Sequence, residues 1–555
     1  MQPSNDRNDA LTDARDNSAR ESSPADAAWL PRAAHGSVPA MPGGAEPTLL
    51  SRASQARFER LARVAWRACV VLAVVHAVYF VVVALLRLPF PYEVDWMEGG
   101  QLLESREILA GRFPYAAPSA DHIAMPYQPL YAAVVAALGS LFGLSLPLAR
   151  GVSIVATFAG AWFVCAAVRR ETRSLRAGLL AAATFLGMYS ITSFWFDKAR
   201  VDSLFLSLLV GGLYCAKAIE RPWRALALSA LLLVLAYKTK QLALPFFVLV
   251  PPLLYPKSKS AALAFAPLVG ATLLGDFVWS QHVSGGWFSF FVNTVPRGQP
   301  YYADEVFRFF VVVFTSVPLL CGLAIAGGDR GLRRGPWLAR LQQTWPLATL
   351  IGIVVSLLAW ARPGGASNNL LTTHVFLIIV AVIELQRRES EGNARLRAFL
   401  FSAYALQLLG LLHSPLDQIP RSEHYRAQQR RVEMLRAAPG PVLVPNRPWL
   451  AVLAGKAPSY HAAEYWELAF QHRDDLMPPP DLRRRIRTGY YALIAVESDP
   501  RRLRVLDYWW PPEMLASYRC DTPFDLAGPS ASVGEAKFND AHLLCTYVGA
   551  GVASP

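Results

Sequence analysis

The chain has 555 residues, 53% of them hydrophobic and 17% charged, with a mean hydropathy of +0.27. That balance excludes a water-soluble protein of ordinary composition. Its 54 Lys and Arg against 41 Asp and Glu leave a net charge of +13. The basic clusters are short and recur between apolar runs, as in cytoplasmic membrane loops and not as on a nucleic-acid-binding face.

Residues 1–60 are rich in Ser, Asn, Asp, Arg, Ala and Pro, lack apolar periodicity, and read as a disordered cytoplasmic tail. The first apolar run, Ala68 to Leu86, follows Arg57, Arg60, Arg63 and Arg67, which hold the tail inside and send the run outward. Ten more runs follow, at approximately 148–168, 177–196, 203–216, 225–237, 242–256, 261–280, 309–328, 345–361, 370–383 and 397–413. The expectation is an α-helical polytopic membrane protein of about eleven spans.

Alternating these runs places the connections Arg169–Arg176, Lys217–Arg224, Lys257–Lys259, Asp329–Arg340 and Leu385–Arg397 inside, and each is net basic. The run from Pro129 to Phe142, at about 14 residues, is too short for this register and reads as an interfacial or re-entrant helix. The outer face receives the first loop, 87–127, and everything after about Ser414. In that tail, Pro441–Pro445 and Tyr491–Val496 look like short buried strands, so residues 414–555 read as a small α/β domain outside the membrane. Cys69, Cys165, Cys215 and Cys321 lie in apolar runs and read as packing residues. Cys520 and Cys545 have a disulfide open to them if the tail is extracytoplasmic.

Ionisable groups at membrane depth are expensive, so their placement is informative. The run 225–237 gives about 20 Å of helix against a hydrocarbon core of about 30 Å. Lys238 and Lys240 then sit below the outer surface, either snorkelling upward or lining a cationic cavity for an anion such as phosphate. Asp197, Lys198, Arg200, Asp202, Asp276, Arg362, Asn368, Asn369 and His374 gather at the same level. The first outer loop carries Glu93, Asp95 and Glu98 before Gly99 and Gly100. On a helix Asp95 and Glu98 share a face, suited to a general base with its orienting partner or to a divalent metal, or simply to a solvated helix start.

The order Asp95-x-x-Glu98, Ile108–Tyr115, Pro126–Tyr131, Leu141–Gly143, Ala149-Arg150 and Arg200-Val-Asp202 resembles the GT-C glycosyltransferases that use polyprenyl-phosphate-linked sugars. That superfamily includes the protein O-mannosyltransferases and the lipid A aminoarabinose transferases. The resemblance, over roughly residues 66–520, implies an inverting hexosyl or pentosyl transferase of a bacterial inner membrane with a periplasmic active site. Its base maps onto Asp95. Many members have adjacent Asp and Glu there, so the choice between Asp95 and Glu98 stays open, with Asp95 favoured.

In that reading Lys198, Arg200, Lys238, Lys240 and Arg362 stabilise the departing donor phosphate. Tyr127, Tyr131, Tyr301 and Tyr302, with Asp202, Asn368 and His374, line the substrate pocket. The partners are a polyprenyl-phosphate-linked sugar donor, a lipid, glycan or protein hydroxyl acceptor, and the bilayer; nucleic acid is not among them. No cofactor is expected, and a divalent metal at Asp95 and Glu98 is left open. The rival functions are a glycolipid or polysaccharide-precursor transporter, which lacks the expected internal repeat, and an O-antigen ligase or polymerase.

Overall fold

The computed structural model describes residues 49–333, 336–473, 475–496, 516–524 and 543–549. The chain divides into Met1–Ala53 and Ser54–Pro555. Of the first unit only residues 49–53 are described, and they are helical; the rest of the expected tail, residues 1–48, lies outside the described residues.

Helix α1 covers Leu49–Arg87, so residues 49–60, expected in the disordered tail, are helical. Their Ala, Gln, Arg, Glu and Leu are strong helix formers and extend the span backward. The helices α2 (Glu98–Leu109), α3 (Leu130–Phe142), α4 (Leu146–Thr172), α5 (Leu175–Gly187), α6 (Val201–Ala218) and α7 (Pro222–Thr239) follow. A 3₁₀ segment, Gln241–Leu249, leads into the short α8 (Val250–Leu254), and α9 covers Lys259–Val283. Ser145, Ser174 and Ser258 cap α4, α5 and α9, each accepting the backbone N–H three residues on.

Every apolar run falls wholly or partly on helix, but the runs are not equivalent. Among the described residues five helices are individually long and apolar enough to cross a bilayer: α1, α4, α6, α9 and the stretch Ser367–Ser390. The run 309–328, read as one span, is two helices, Ala303–Ser316 and Pro318–Arg333, bent by 99°. Pro318 has no N–H to continue the first helix and instead starts the second. The run 177–196 stays helical only to Gly187, and the rest turns back through Ser193 and Phe194, both at positive φ. In the other direction, α7 has 18 residues and not the 13 or so of its apolar run, so Lys238 lies on its last turn. α3 has 13 residues, about 20 Å of helix, which is short of a bilayer.

Burial sorts the helices. The window in Ser367–Ser390 is 89% buried, whereas those of α1 and α9 are 33% and 22% buried. The first is therefore a central post packed by its neighbours, and the other two present Val71, Val74, Leu263 and Leu274 outward. Apolar surface of that extent is stable against lipid and not against water.

Beyond the helices Ala394–Gly410 and Ser422–Ala437, both expected strands form: β1 (Val442–Leu443) pairs in parallel with β2 (Leu493–Val496). Two further strands, β3 (Tyr518–Pro523) and β4 (Leu543–Tyr547), complete a sheet of order β1-β2-β4-β3. Cys520 and Cys545 face each other across the antiparallel β3–β4 pair and are joined by a disulfide.

Candidate active site

α1 ends at Arg87, whose buried guanidinium fixes the chain that follows. Its Nη1 lies 3.1 Å from Asp197 Oδ1 and donates to the Tyr189 hydroxyl at 2.8 Å. The Tyr189 hydroxyl donates in turn to Asp197 at 2.8 Å. Arg150, on α4, performs the complementary task. It donates to the carbonyls of Arg87, Phe90 and Tyr92 at 3.2, 2.6 and 2.6 Å. Its remaining hydrogen bonds go to both Glu98 oxygens, at 2.9 and 2.6 Å.

Glu98 also accepts the backbone N–H groups of Val94, Asp95 and Ala199 at 2.7, 3.3 and 2.9 Å. Burial alone would raise its carboxyl; the Arg150 charge and these donors outweigh that and hold it at about 2. Its oxygens are saturated. Glu98 is the pin that fastens the loop between α1 and α2 to α4 and to the turn before α6.

Asp95 is in the opposite condition. It is fully buried, and its Oδ1 accepts the Met97 N–H at 3.2 Å. Lys198 Nζ is 3.6 Å from Oδ2, and Arg200 Nη1 is 3.6 Å from Oδ1. Oδ2 accepts no hydrogen bond among the described residues. Lys198 and Arg200 lie over the Trp195 ring, 4.1 and 5.0 Å from its centroid. The Trp195 N–H donates to Asp202 Oδ2 at 2.7 Å, and Asp202 Oδ1 receives Lys240 at 2.7 Å and Asn368 at 3.4 Å. One alternating lattice of carboxylates and cations thus runs from Asp95 to Lys240.

A polar cavity of about 290 Å³ adjoins this lattice, lined by Tyr127, Lys240, Gln241, Arg297, Arg362 and Glu467 among others. Tyr127 is the hinge between the two, within electrostatic reach of Arg200, Glu467, Asp202 and Asp95. Burial and Glu464 push the Glu467 carboxyl up to about 8, against Arg200 and Arg362. A neutral carboxyl of this kind donates a hydrogen bond as well as accepting one.

Residues far along the chain close the loop between α1 and α2. Arg447 meets Glu93 at 3.1 Å, and His461 Nε2 donates to the Trp96 carbonyl at 2.6 Å. Gly99 and Gly100 leave room for neighbouring side chains. A Cβ on Gly99 would stand 1.9 Å from Glu93 Oε1, and one on Gly100 would stand 2.5 Å from Met125 Cε.

The residues singled out by sequence divide into groups. Asp95, Glu98, Lys198, Arg200, Asp202, Lys240 and Asn368 lie in one lattice, with Tyr127 and Arg362 at the adjoining cavity. Arg362 also donates to the Tyr301 hydroxyl and stacks on that ring. Lys238 stands elsewhere, paired with Asp276 at 2.7 Å and packed on Phe288. Tyr131 is fully buried and donates to the Ala149 carbonyl at 2.9 Å, which clamps α3 to α4. His374 is buried on the central post, with no hydrogen-bond partner for either ring nitrogen among the described residues. Tyr302 is exposed. Among the described residues no three His, Cys, Asp or Glu side chains converge as a metal set.

Sequence reasoning gave no role to Arg87, Arg150, Arg297, Arg447, His461 or Glu467. Arg150 carried a usable signal, since it is an ionisable residue near the start of a long apolar helix. Arg87, at the end of apolar α1, carried the same signal, whereas Arg447 and His461 meet partners remote in sequence, Glu93 and Trp96.

The described residues define a mostly helical membrane protein with a small C-terminal sheet. Among solved structures the chain is similar to ArnT from Cupriavidus metallidurans bound to undecaprenyl phosphate, with a TM-score of 0.55. Identity in that match is 13%, over 87% of this chain and 99% of that one. The apo state of the same ArnT gives a TM-score of 0.53 at 15% identity, over 87% of this chain and 98% of that one. No protein-family model matches the sequence, and no curated protein does.

Proposed function

We propose that this chain is an inverting membrane glycosyltransferase that moves a sugar from a polyprenyl-phosphate donor to a hydroxyl acceptor at the periplasmic face. It has about eleven spans in a bacterial inner membrane, with residues 61–413 as the catalytic domain. The N-terminus is cytoplasmic, and residues 414–555 form a periplasmic domain. The observation that carries the reading is the contrast between two neighbouring buried carboxylates. Glu98 is saturated by Arg150 and three backbone N–H groups, whereas Asp95 keeps an oxygen without a hydrogen bond among the described residues, beside Lys198.

Asp95 is the base. Its carboxylate takes the proton of the acceptor hydroxyl as that oxygen bonds to the anomeric carbon. The bond from that carbon to the phosphate oxygen breaks, and the polyprenyl phosphate departs with the electron pair. Lys240, Arg362 and Arg297 at the cavity, with Lys198 and Arg200 behind Tyr127, offset the charge that develops on it. The likeness to an ArnT structure that holds undecaprenyl phosphate supports a donor of this kind.

The test is sugar transfer from radiolabelled polyprenyl-phosphate-linked donors in membranes containing wild-type or Asp95→Asn protein. A loss of about 10²–10⁴-fold is expected; transfer at the wild-type rate by well-expressed variant overturns the assignment. Mass spectrometry of envelope glycans and lipids from a deletion strain names the sugar and the acceptor.

A further inference from the structure

At the end of the bundle where α1 begins, far along that helix from Asp95, two cavities meet. One, of about 510 Å³, is an apolar groove between α1 and α5. Its floor is made shallow by small side chains, Ala73 and Ala77 on α1 and Ala182 and Ala183 on α5. Val70, Val74 and Leu179 at its rim are exposed, so it opens sideways to the hydrocarbon. Trp66 to Ala77 spans about 16 Å of helix, half of a core about 30 Å thick, which is the depth of one leaflet.

The second cavity, of about 460 Å³, continues the first, because Trp66 and Arg176 line both. It is basic: Arg63, Arg67, Arg176 and Arg397 face two carboxylates, Glu59 and Glu389. None of the four arginines is ion-paired to a carboxylate among the described residues. Arg397 Nε is buried and has no hydrogen-bond partner there. Arg176 lies over the Trp66 ring, 5.8 Å from its centroid, and so borders both the apolar and the charged part.

A leaflet-deep apolar groove ending at a cluster of guanidinium groups is complementary to one molecule, a lipid with an anionic head. We propose that this composite site binds one anionic glycerophospholipid of the leaflet at the α1 start. One acyl chain lies in the α1–α5 groove, and the phosphate sits among Arg63, Arg67, Arg176 and Arg397. The site is independent of the transferase chemistry, so its test does not use sugar transfer.

The full chain is reconstituted in equimolar phosphatidylglycerol and phosphatidylcholine of identical acyl chains, and the lipids it retains are read by native mass spectrometry. About tenfold enrichment of phosphatidylglycerol in one bound copy is expected. The Arg63→Gln, Arg67→Gln, Arg176→Gln variant should lose the enrichment, and Ala73→Phe, which fills the groove and leaves the arginines, should lose the bound copy. Should the triple variant fail to fold, Arg176→Gln alone and Ala73→Phe carry the test. Equal retention of the two lipids, or unchanged retention in the variants, overturns the proposal. So does displacement of the lipid by millimolar inorganic phosphate, which would make this a site for the free anion, and so does preferential retention of undecaprenyl phosphate when that is added.

Discussion

Glu98 and Arg150 meet in a two-pronged ion pair, 2.9 and 2.6 Å long, with both side chains wholly removed from solvent. The pair sits at the first turn of α2 and near the start of α4, and Arg150 additionally holds the carbonyl of Arg87 at the end of α1 and those of Phe90 and Tyr92 in the loop that follows. It fixes the backbone on which Asp95 is mounted. Two carboxylates three residues apart are thereby placed in different surroundings, and the proposed mechanism gives one structural and the other chemical work.

Glu98→Gln and Asp95→Asn should therefore differ in kind. Removing one charge of a buried pair leaves the other uncompensated, so Glu98→Gln should destabilise the fold by about 3–5 kcal/mol. The expected readout is a large drop in melting temperature and a poor yield of monodisperse protein. Asp95→Asn keeps the shape of a side chain whose cations are shared with other partners, and should abolish transfer with a smaller change in melting temperature. The two measurements on the same preparations check the contrast.

Gly99→Ala should destabilise the protein by about 1–3 kcal/mol, because the new methyl group would stand 1.9 Å from Glu93 Oε1. The mechanism makes a second claim. In Glu93→Ala the obstructing carboxylate is gone, so the double variant should lose less than the sum of the single losses. Thermal unfolding of the four proteins in one detergent tests it.

Glu93 also predicts a pH dependence. Burial pushes its carboxyl up to about 7 from an ordinary 4.5, against the pull of Arg447 and His461. A raised folded-state value means that the folded protein holds this proton more tightly than the unfolded chain does. The stability it confers is full below about pH 4.5 and is lost as pH rises through about 7. The change is of order 3 kcal/mol. Melting temperatures between pH 5 and 8 should fall less steeply for Glu93→Gln than for wild type.

The Cys520–Cys545 disulfide closes a loop with a sequence separation of 25 across the β3–β4 pair. Reducing it releases chain entropy in the unfolded state worth about 3 kcal/mol. Dithiothreitol, or the Cys520→Ala, Cys545→Ala variant, should lower the melting temperature and expose the C-terminal region to protease. Sugar transfer measured below that transition should persist, since neither sulfur borders the Asp95 lattice.

The helices were legible because apolar runs and basic loops follow from bilayer thickness and loop charge, which are properties of local sequence. The same locality explains the errors. The apolar run before Lys238 is short, but α7 continues through polar residues, since helix length is set by hydrogen bonding and not by hydrophobicity. The 309–328 run is continuous in hydropathy and broken in space at Pro318. β1 and β2 were marked by short buried apolar stretches; β3 carries Arg519 and Asp521 and exists through pairing with β4, a short LLCTY stretch.

By itself, the sequence determined that this is a multi-helix membrane protein and marked Asp95 and Glu98 as candidate site residues. Only the tertiary structure separated their surroundings. Whether a buried carboxylate serves as a pin or as a base depends on which donors reach it. For Glu98 those come from Arg150 on α4 and Ala199 before α6, 52 and 101 residues away. Such contacts are decided by packing, and no pattern in the first outer loop encodes them.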